Sequence, residues 1–440
     1  MKRLLRTLAL GSRQDGQDGM TLEISVHSPS DTQHFFRDFR IDDDYPVHSG
    51  DDLSIRNIGD LAIFHARKQF FQWSLRPLDM VPHHCLDITG RPPQGAVQRC
   101  LGTPLDFLSR LSGVLPRVPI VSEFLMRRQH YRQLSPIALA RLFSESLVCA
   151  ESLRLERWCR PTPEEEAEFL NGTNMEFELK CPLSRPSADN IQGLRDHMLP
   201  SLPRTLNKFF YFATIFPRFH EIYTPQDLMV HPSFSATEFL QQFGHLFTEL
   251  SFSHPCETEP LKLQQTISPE ETPLMSISLK TRPWDMLEKL ALKSRILSRH
   301  STQDQIDLLL KGAASVAEAM PKLRLMEIWN HGSESDYRPK IGGRRADDAC
   351  VFRYRLVSHQ ARISWHSTWS AAPTLSSKVT RAWDKVASAH THRPVIARIL
   401  PSAAAWLPGT GCFYLYLIST DVVVPFTAKL MFYDYRICFQ

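Results

Sequence analysis

Few residues in this chain have the types and spacing that chemistry demands. His83-His84-Cys85 offers three ligand atoms in a row. Adjacent side chains do not easily converge on one ion, and no second cluster lies nearby at ligand spacing, so the triplet reads as exposed loop. The nine cysteines, Cys85, Cys100, Cys149, Cys159, Cys181, Cys256, Cys350, Cys412 and Cys438, never form a Cys-x-x-Cys. That excludes zinc-ribbon and thioredoxin-type motifs and fits reduced thiols in the cytoplasm or nucleus. There is no phosphate-cradling glycine loop, no Gly-x-Ser-x-Gly and no His-Glu-x-x-His. Glu164, Glu165 and Glu166 suit the positive end of a helix better than an acid/base pair, because Thr162 with Glu165 makes a capping box. No catalytic residue, cofactor or metal is expected.

Recognition is the other chemistry that side chains supply. Trp329, Trp365 and Trp369 are candidates for an aromatic surface, since Trp is favoured at interface hot spots. Trp365 and Trp369 share one strand face by the two-residue period. The competing reading places these rings in a core beneath a helix that carries Trp383. Arg127, Arg128 and Arg132, and Arg344 with Arg345, are contacts for an acidic partner or else solvated charges. The candidate interaction surface is therefore Trp329, Trp365, Trp369, Arg344 and Arg345.

Composition bounds the partners. A formal charge of +4 over 440 residues gives no basic stripe or domain of the kind nucleic acid requires. Residues 412–425 are apolar, but Asp421 interrupts them short of the ~18 residues of a membrane span. Arg6 interrupts the leucines of residues 1–10, so no secretory signal is read there, and Asn171-Gly172-Thr173 is then an accidental glycosylation match. The expected location is cytoplasmic or nuclear, with neither nucleic acid nor membrane as partner.

The elements that must position these residues show a pattern. Thr302 to Ala319 holds Ile306, Leu309, Leu310, Ala313 and Ala317 at helical spacing, opened by Ser301 with Asp304 and closed by Pro321. Other helices are predicted after Ser28-Pro29-Ser30-Asp31 (Phe35, Phe36, Phe39), after Ser135-Pro136 (Leu139, Leu142, Phe143, Leu147), after the Ser235/Glu238 capping box, and over Val379 to Ala387. Strands are expected around Leu22, Ile24 and Val26, and from Val118 to Leu125. A further series has apolar residues at three positions spaced by three and then two. Its central members are Leu153, Phe209, Leu250, Leu290 and Met326, 56, 41, 40 and 36 residues apart, with Ile24 and Val121 proposed to begin it.

Self-similarity at long period is the mark of a stacked architecture. One strand and one helix cannot bury both of their apolar faces; neighbouring repeats supply the area. Burying a leucine is worth about 1.5–3 kcal/mol against roughly 1–2 kcal/mol of backbone entropy per ordered residue. The expected fold is α/β, an irregular leucine-rich-repeat-like solenoid with a C-terminal α+β capping domain. Its parts are a disordered N-terminus at 1–19, the solenoid at 20–330, the C-terminal domain at 331–392 and an atypical apolar tail at 393–440. Residues 254–283 read as a polar insertion and 332–348 as a basic loop. Cys350–Leu356 and Ala361–Trp369 read as antiparallel strands joined at Ser358–Gln360.

Several segments together resemble one group: large fungal proteins with an F-box-like start, leucine-rich-like middle repeats and a C-terminal domain of unknown function. The residues that carry the resemblance begin with Thr21-Leu22-Glu23-Ile24-Ser25 and Ser28-Pro29-Ser30-Asp31, Arg127-Arg128-Gln129 with Tyr131-Arg132 and Ser135-Pro136, and Leu290-Ala291-Leu292-Lys293-Ser294. They continue with Ala319-Met320-Pro321-Lys322-Leu323, Met326-Glu327-Ile328-Trp329-Asn330, Phe352-Arg353-Tyr354, Ile363-Ser364-Trp365, Ser367-Thr368-Trp369 and Ala382-Trp383. The resemblance covers about 20–390. It implies a non-enzymatic substrate receptor and a Skp1-type ubiquitin-ligase adaptor as partner. Two departures stand against it: residues 1–60 show no Leu-Pro opening of an F-box, and 393–440 differs from the group's ending. The alternatives are an enzyme with a site between Trp365 and His390, or a degenerate gene product.

Overall fold

The computed structural model describes residues 1–11, 13, 19–24, 26, 101, 104–106, 113–127, 132–159, 194–214, 244–253, 284–294, 296–298, 301–331, 349–367 and 375–399. The elements, in chain order, are α1 (Lys2–Leu8), β1 (Met20–Glu23), β2 (Val121–Met126), α2 (Pro136–Arg141), β3 (Ser152–Trp158), β4 (Lys208–Thr214), β5 (Glu249–Ser253) and β6 (Lys289–Lys293). They continue with α3 (Gln303–Glu318), β7 (Leu325–His331), β8 (Ala349–Val357), β9 (Gln360–Ser367), α4 (Ser377–Thr391) and β10 (Ile396–Ile399). The fold is mixed α/β. Its ten strands form one sheet in strict chain order, β1 to β10.

Strands β1 to β7 are parallel, each beside its predecessor, β8 and β9 run antiparallel, and β10 is parallel to β9. The five central residues of the sequence series stand side by side: Leu153, Phe209, Leu250, Leu290 and Met326 are mutual register partners. The residues three before and two after each are buried as well. Ala150, Leu206, Phe247, Leu287 and Leu323 stand before them; Leu155, Tyr211, Phe252, Leu292 and Ile328 stand after. The reason for the three-residue step is a turn. The first residue of each triplet donates its N–H to the carbonyl three residues earlier, Leu147, Pro203, Gly244, Trp284 and Met320 in turn. This turn points one apolar side chain into the core just before the alternating strand begins.

Register also corrects the start of the series. The partners of Leu153 are Phe124 and, one strand further, Leu22; Val121 and Ile24 are not the central members. Val121 instead fills the first position of its own triplet, with its N–H on the Val118 carbonyl.

Helices α2, α3 and α4 pack on one face. Phe143, in the π turn Leu142–Ser146 that continues α2, meets Phe124 edge-on at 5.2 Å. Trp383 of α4 stacks on Tyr354 at 5.1 Å, packs on Phe352 at 5.0 Å, and donates Nε1–H to the Leu310 carbonyl of α3 at 3.1 Å. Crossovers between neighbouring parallel strands are as a rule right-handed, which places the helices they contain on one face of a sheet. Local signals set the helix starts. Ser135 Oγ accepts from the Ala138 N–H, with Pro136 in the first turn where a missing amide costs nothing. The α3 cap is Thr302 rather than Ser301: its hydroxyl accepts from the Gln305 N–H, and the Gln305 side chain accepts from the Thr302 N–H at 2.9 Å.

The first residues are not a fraying end. Leu5 of α1 is fully buried, with Leu8 and Ala9 packed against the same core. Leu4, Leu5 and Leu8 have helical spacing, and one leucine in the core ties the segment down. The helix expected after Ser28, the capping boxes at Thr162 and Ser235, the segments 254–283 and 332–348, and the tail beyond residue 399 lie outside the described residues. Among the described residues, no helix is long and apolar enough to cross a membrane.

Candidate interaction face

The strand period puts every second residue on the face opposite the helices. The first row there crosses all ten strands: Thr21, Glu123, Ser152, Lys208, Glu249, Lys289, Leu325, Arg355, Arg362 and Ile396 are successive register partners. At 4.7–4.9 Å per strand the row is roughly 40 Å long. Its charges are mostly matched. Thr21 Oγ1 and Ser152 Oγ donate to Glu123 at 2.7 and 3.2 Å. Glu249 Oε1 sits between Lys208 at 3.5 Å and Lys289 at 3.1 Å. The two lysine side chains are 45% and 41% exposed, so the row reaches solvent.

The backbone builds this row by repetition. The Glu151, Asn207, Thr248 and Glu288 carbonyls each accept two N–H groups from the first residues of the following strand: Asn207 and Lys208, Thr248 and Glu249, Glu288 and Lys289, Arg324 and Leu325. Each strand therefore begins at the same level, and its first residue on this face falls in line with the last.

Behind the first row the second row is buried from β4 to β8. Phe210, Ser251, Ala291, Glu327 and Arg353 form the second row, Phe212, Ser253, Trp329, Val351 and His366 belong to the third, and all are less than a tenth exposed. Arg353 Nε donates to Glu327 Oε1 at 2.6 Å, with Glu327 fully shielded. The Phe212 and Trp329 rings stack at 6.5 Å. Desolvation, with the Arg353 charge added, drives the His366 pKa down to about 4.

The expected surface residues fall differently from their reading. Trp329 is fully buried, on the face opposite the helices; Trp365 is 1% exposed, on the helix face beside Phe352. Neither ring is available as exposed surface, because adjacent strands and the Trp383 helix supply the apolar area that a large ring needs. Trp369, Arg344 and Arg345, with His83, His84, Cys85 and Arg128, lie outside the described residues. Arg127 is in β2's continuation, 3.0 Å from Glu23.

The C-terminal strands also border a half-open cleft of ≈ 450 Å³ lined by Lys322, Arg324, Leu356, His359 and His390 among others. There the Tyr354 hydroxyl lies 2.9 Å from His390 Nδ1. Burial pushes the Tyr354 pKa up to about 12. Burial lowers the pKa of His390 more than the nearby Ala317 and Met320 carbonyls, at the end of α3, raise it. Its Nε2 is shielded from solvent without a hydrogen-bond partner. Cys350, wholly buried, has its thiol pKa pushed well up. The Tyr354 hydroxyl and the Cys350 thiol therefore keep their protons at pH 7. Among the described residues, no group of three or more metal-ligating side chains occurs.

Residues 201–417 match DUF6546, a family of unknown function. No curated protein and no solved structure matches the chain. The DUF6546 match begins just before β4 and runs past β10, so it takes in the buried Glu327–Arg353 pair, the Trp383 packing and the basic end of the first row. Strands β1 to β3 precede the match and continue the same register.

The triplet series was the sequence signal for the sheet. The first row itself carried none: Glu123, Lys208, Glu249 and Lys289 are scattered charged residues until register aligns them.

Proposed function

We propose that this chain is a non-enzymatic protein-interaction scaffold that holds its partner along the first row of the sheet. One observation carries the reading: a row of register partners crosses ten strands on the face away from the helices, polar on all but two of them (Leu325 and Ile396), with Lys208 and Lys289 reaching solvent. A long, ordered line of side chains on rigid strands suits recognition of an extended partner surface.

In the finer reading, β1 to β7 are the strands of an irregular leucine-rich-repeat-like solenoid, and 331–392 caps its end. In-register triplets and the repeated carbonyl pairing support this, since stacked repeats share one local geometry. The resemblance to F-box-like receptors makes a Skp1-type adaptor the natural second partner, in the cytoplasm or nucleus. The test is quantitative capture from cell extract with three tagged chains: wild type, Lys208→Glu/Lys289→Glu, and Lys311→Glu on the exposed side of α3. The reading expects proteins retained by wild type and Lys311→Glu and lost from the double variant. Equal retention by all three would overturn it. A Skp1-type adaptor in the retained set supports the receptor form; a partner set without one leaves the scaffold alone.

A further inference from the structure

The first row is charge-matched through β6 and unmatched at its end. Glu123 has two hydroxyl donors and Glu249 has two lysines. After Leu325 come Arg355 and Arg362, which face each other across the β8–β9 ladder. Directly opposed residues of an antiparallel pair have Cβ atoms about 4.5–5.5 Å apart, and like charges there destabilise the hairpin. The acid on this part of the face is already committed: Glu327 binds Arg353, the residue two before Arg355. Among the described residues, neither Arg355 nor Arg362 has an acidic partner. Both are half-buried, and Arg362 Nε is shielded from solvent with no hydrogen-bond acceptor. A shielded guanidinium N–H without an acceptor is costly unless something supplies one.

We infer that Arg355 and Arg362 together bind a phosphate monoester. Two adjacent guanidinium forks present more donors, and more charge, than one carboxylate uses. A phosphate monoester carries about −1.5 to −2 at pH 7 and three acceptor oxygens, which matches a pair of arginines. The site lies at the strand-start edge of β7, where Leu356 N–H binds the Arg324 carbonyl, so the hairpin that carries it is fixed to the sheet. Gln360, on the same hairpin face two residues before Arg362, donates to the Pro394 carbonyl at 2.9 Å and holds the turn to the segment leading into β10. The phosphate can come from a small ester or from a phosphorylated side chain; the recognising chemistry is the same.

The experiment is calorimetric titration of the full chain at fixed ionic strength with phenyl phosphate, benzoate, and one peptide in phosphoserine and serine forms. Wild type, Arg355→Gln, Arg362→Gln and Lys311→Gln are compared, with circular dichroism to establish that each is folded. The expected result is saturable binding of phenyl phosphate, weakened at least roughly tenfold in either arginine variant, as the loss of a charge-assisted hydrogen bond requires, and unchanged in Lys311→Gln on the exposed side of α3. Without ligand, either arginine variant should melt no lower than wild type, because a like-charge contact has been removed. Binding of the phosphoserine peptide alone assigns the group to a protein source; binding of both assigns recognition to the phosphate itself. Three results would overturn the inference: no saturable binding of either phosphate form, equal binding of benzoate, or binding undiminished in both arginine variants.

Discussion

The Glu327–Arg353 pair offers the sharpest test of how the buried part of the sheet is held. Glu327 is fully shielded, Arg353 is 7% exposed, and their contact is 2.6 Å. Glu327→Gln preserves the shape and removes the charge, which leaves the arginine buried without its counter-ion. Breaking a buried pair from one side costs about 3–5 kcal/mol, whereas replacing both partners by apolar residues of similar size is often near neutral. So Glu327→Gln and Arg353→Met should each lose about 3 kcal/mol or more, while Glu327→Leu/Arg353→Met should recover most of that loss. A surface pair sets the scale: Glu288 and Arg324 are 3.9 Å apart with side chains 40% and 69% exposed. Exposed pairs are worth about 0–1 kcal/mol, so Glu288→Ala should change little. The assay is urea unfolding followed by tryptophan fluorescence and circular dichroism, with midpoints compared at constant slope. A loss under about 1 kcal/mol for Glu327→Gln, or a double variant as weak as the two single losses added, would refute the reasoning.

Three further outcomes follow from the same structure. Trp383 is fully buried between α3 and the strands, so Trp383→Ala should cost about 3–5 kcal/mol by the same unfolding assay. His366 titrates at about 4 in the folded chain against 6.5 for an unperturbed imidazole, so the unfolded chain binds more protons between those values. Its stabilising contribution is therefore complete above pH 6.5 and is lost as pH falls toward 4, by up to roughly 3 kcal/mol; His366→Gln should flatten that part of the stability–pH curve relative to wild type, and parallel curves would contradict the assignment. The two-residue β8–β9 turn holds Ser358 and His359 at φ 47° and 62°, a region that side chains other than Asn and Gly occupy at a cost. Ser358→Asn/His359→Gly should raise stability by about 1 kcal/mol, read as a higher melting temperature.

The apolar side of the sheet was legible because a three-then-two step leaves a mark in the sequence. Leu290 and Met326 could be aligned before any pairing was known, since only one arrangement buries both with their neighbours. Alternation alone was too weak to place β1. Leu22, Ile24 and Val26 are equivalent under a two-residue period, and pairing with Phe124 is what selects Leu22. Trp329 and Trp365 illustrate a second limit. Their types suit both interface and core, and the sheet's own thickness of buried neighbours decides for core. The first row was invisible for a different reason. Its members are separated by tens of residues, and the pairing of Lys208 with Glu249 exists only once the carbonyls of Asn207 and Thr248 have set their strands level.

The scaffold claim comes down to which face meets a partner. A photo-crosslinking side chain placed at Lys289, in the first row, and in a second chain at Lys311, on the exposed side of α3, reports this directly in cell extract. The account predicts protein adducts from position 289 and none from position 311. Adducts from 311 alone, or from neither position, would contradict it.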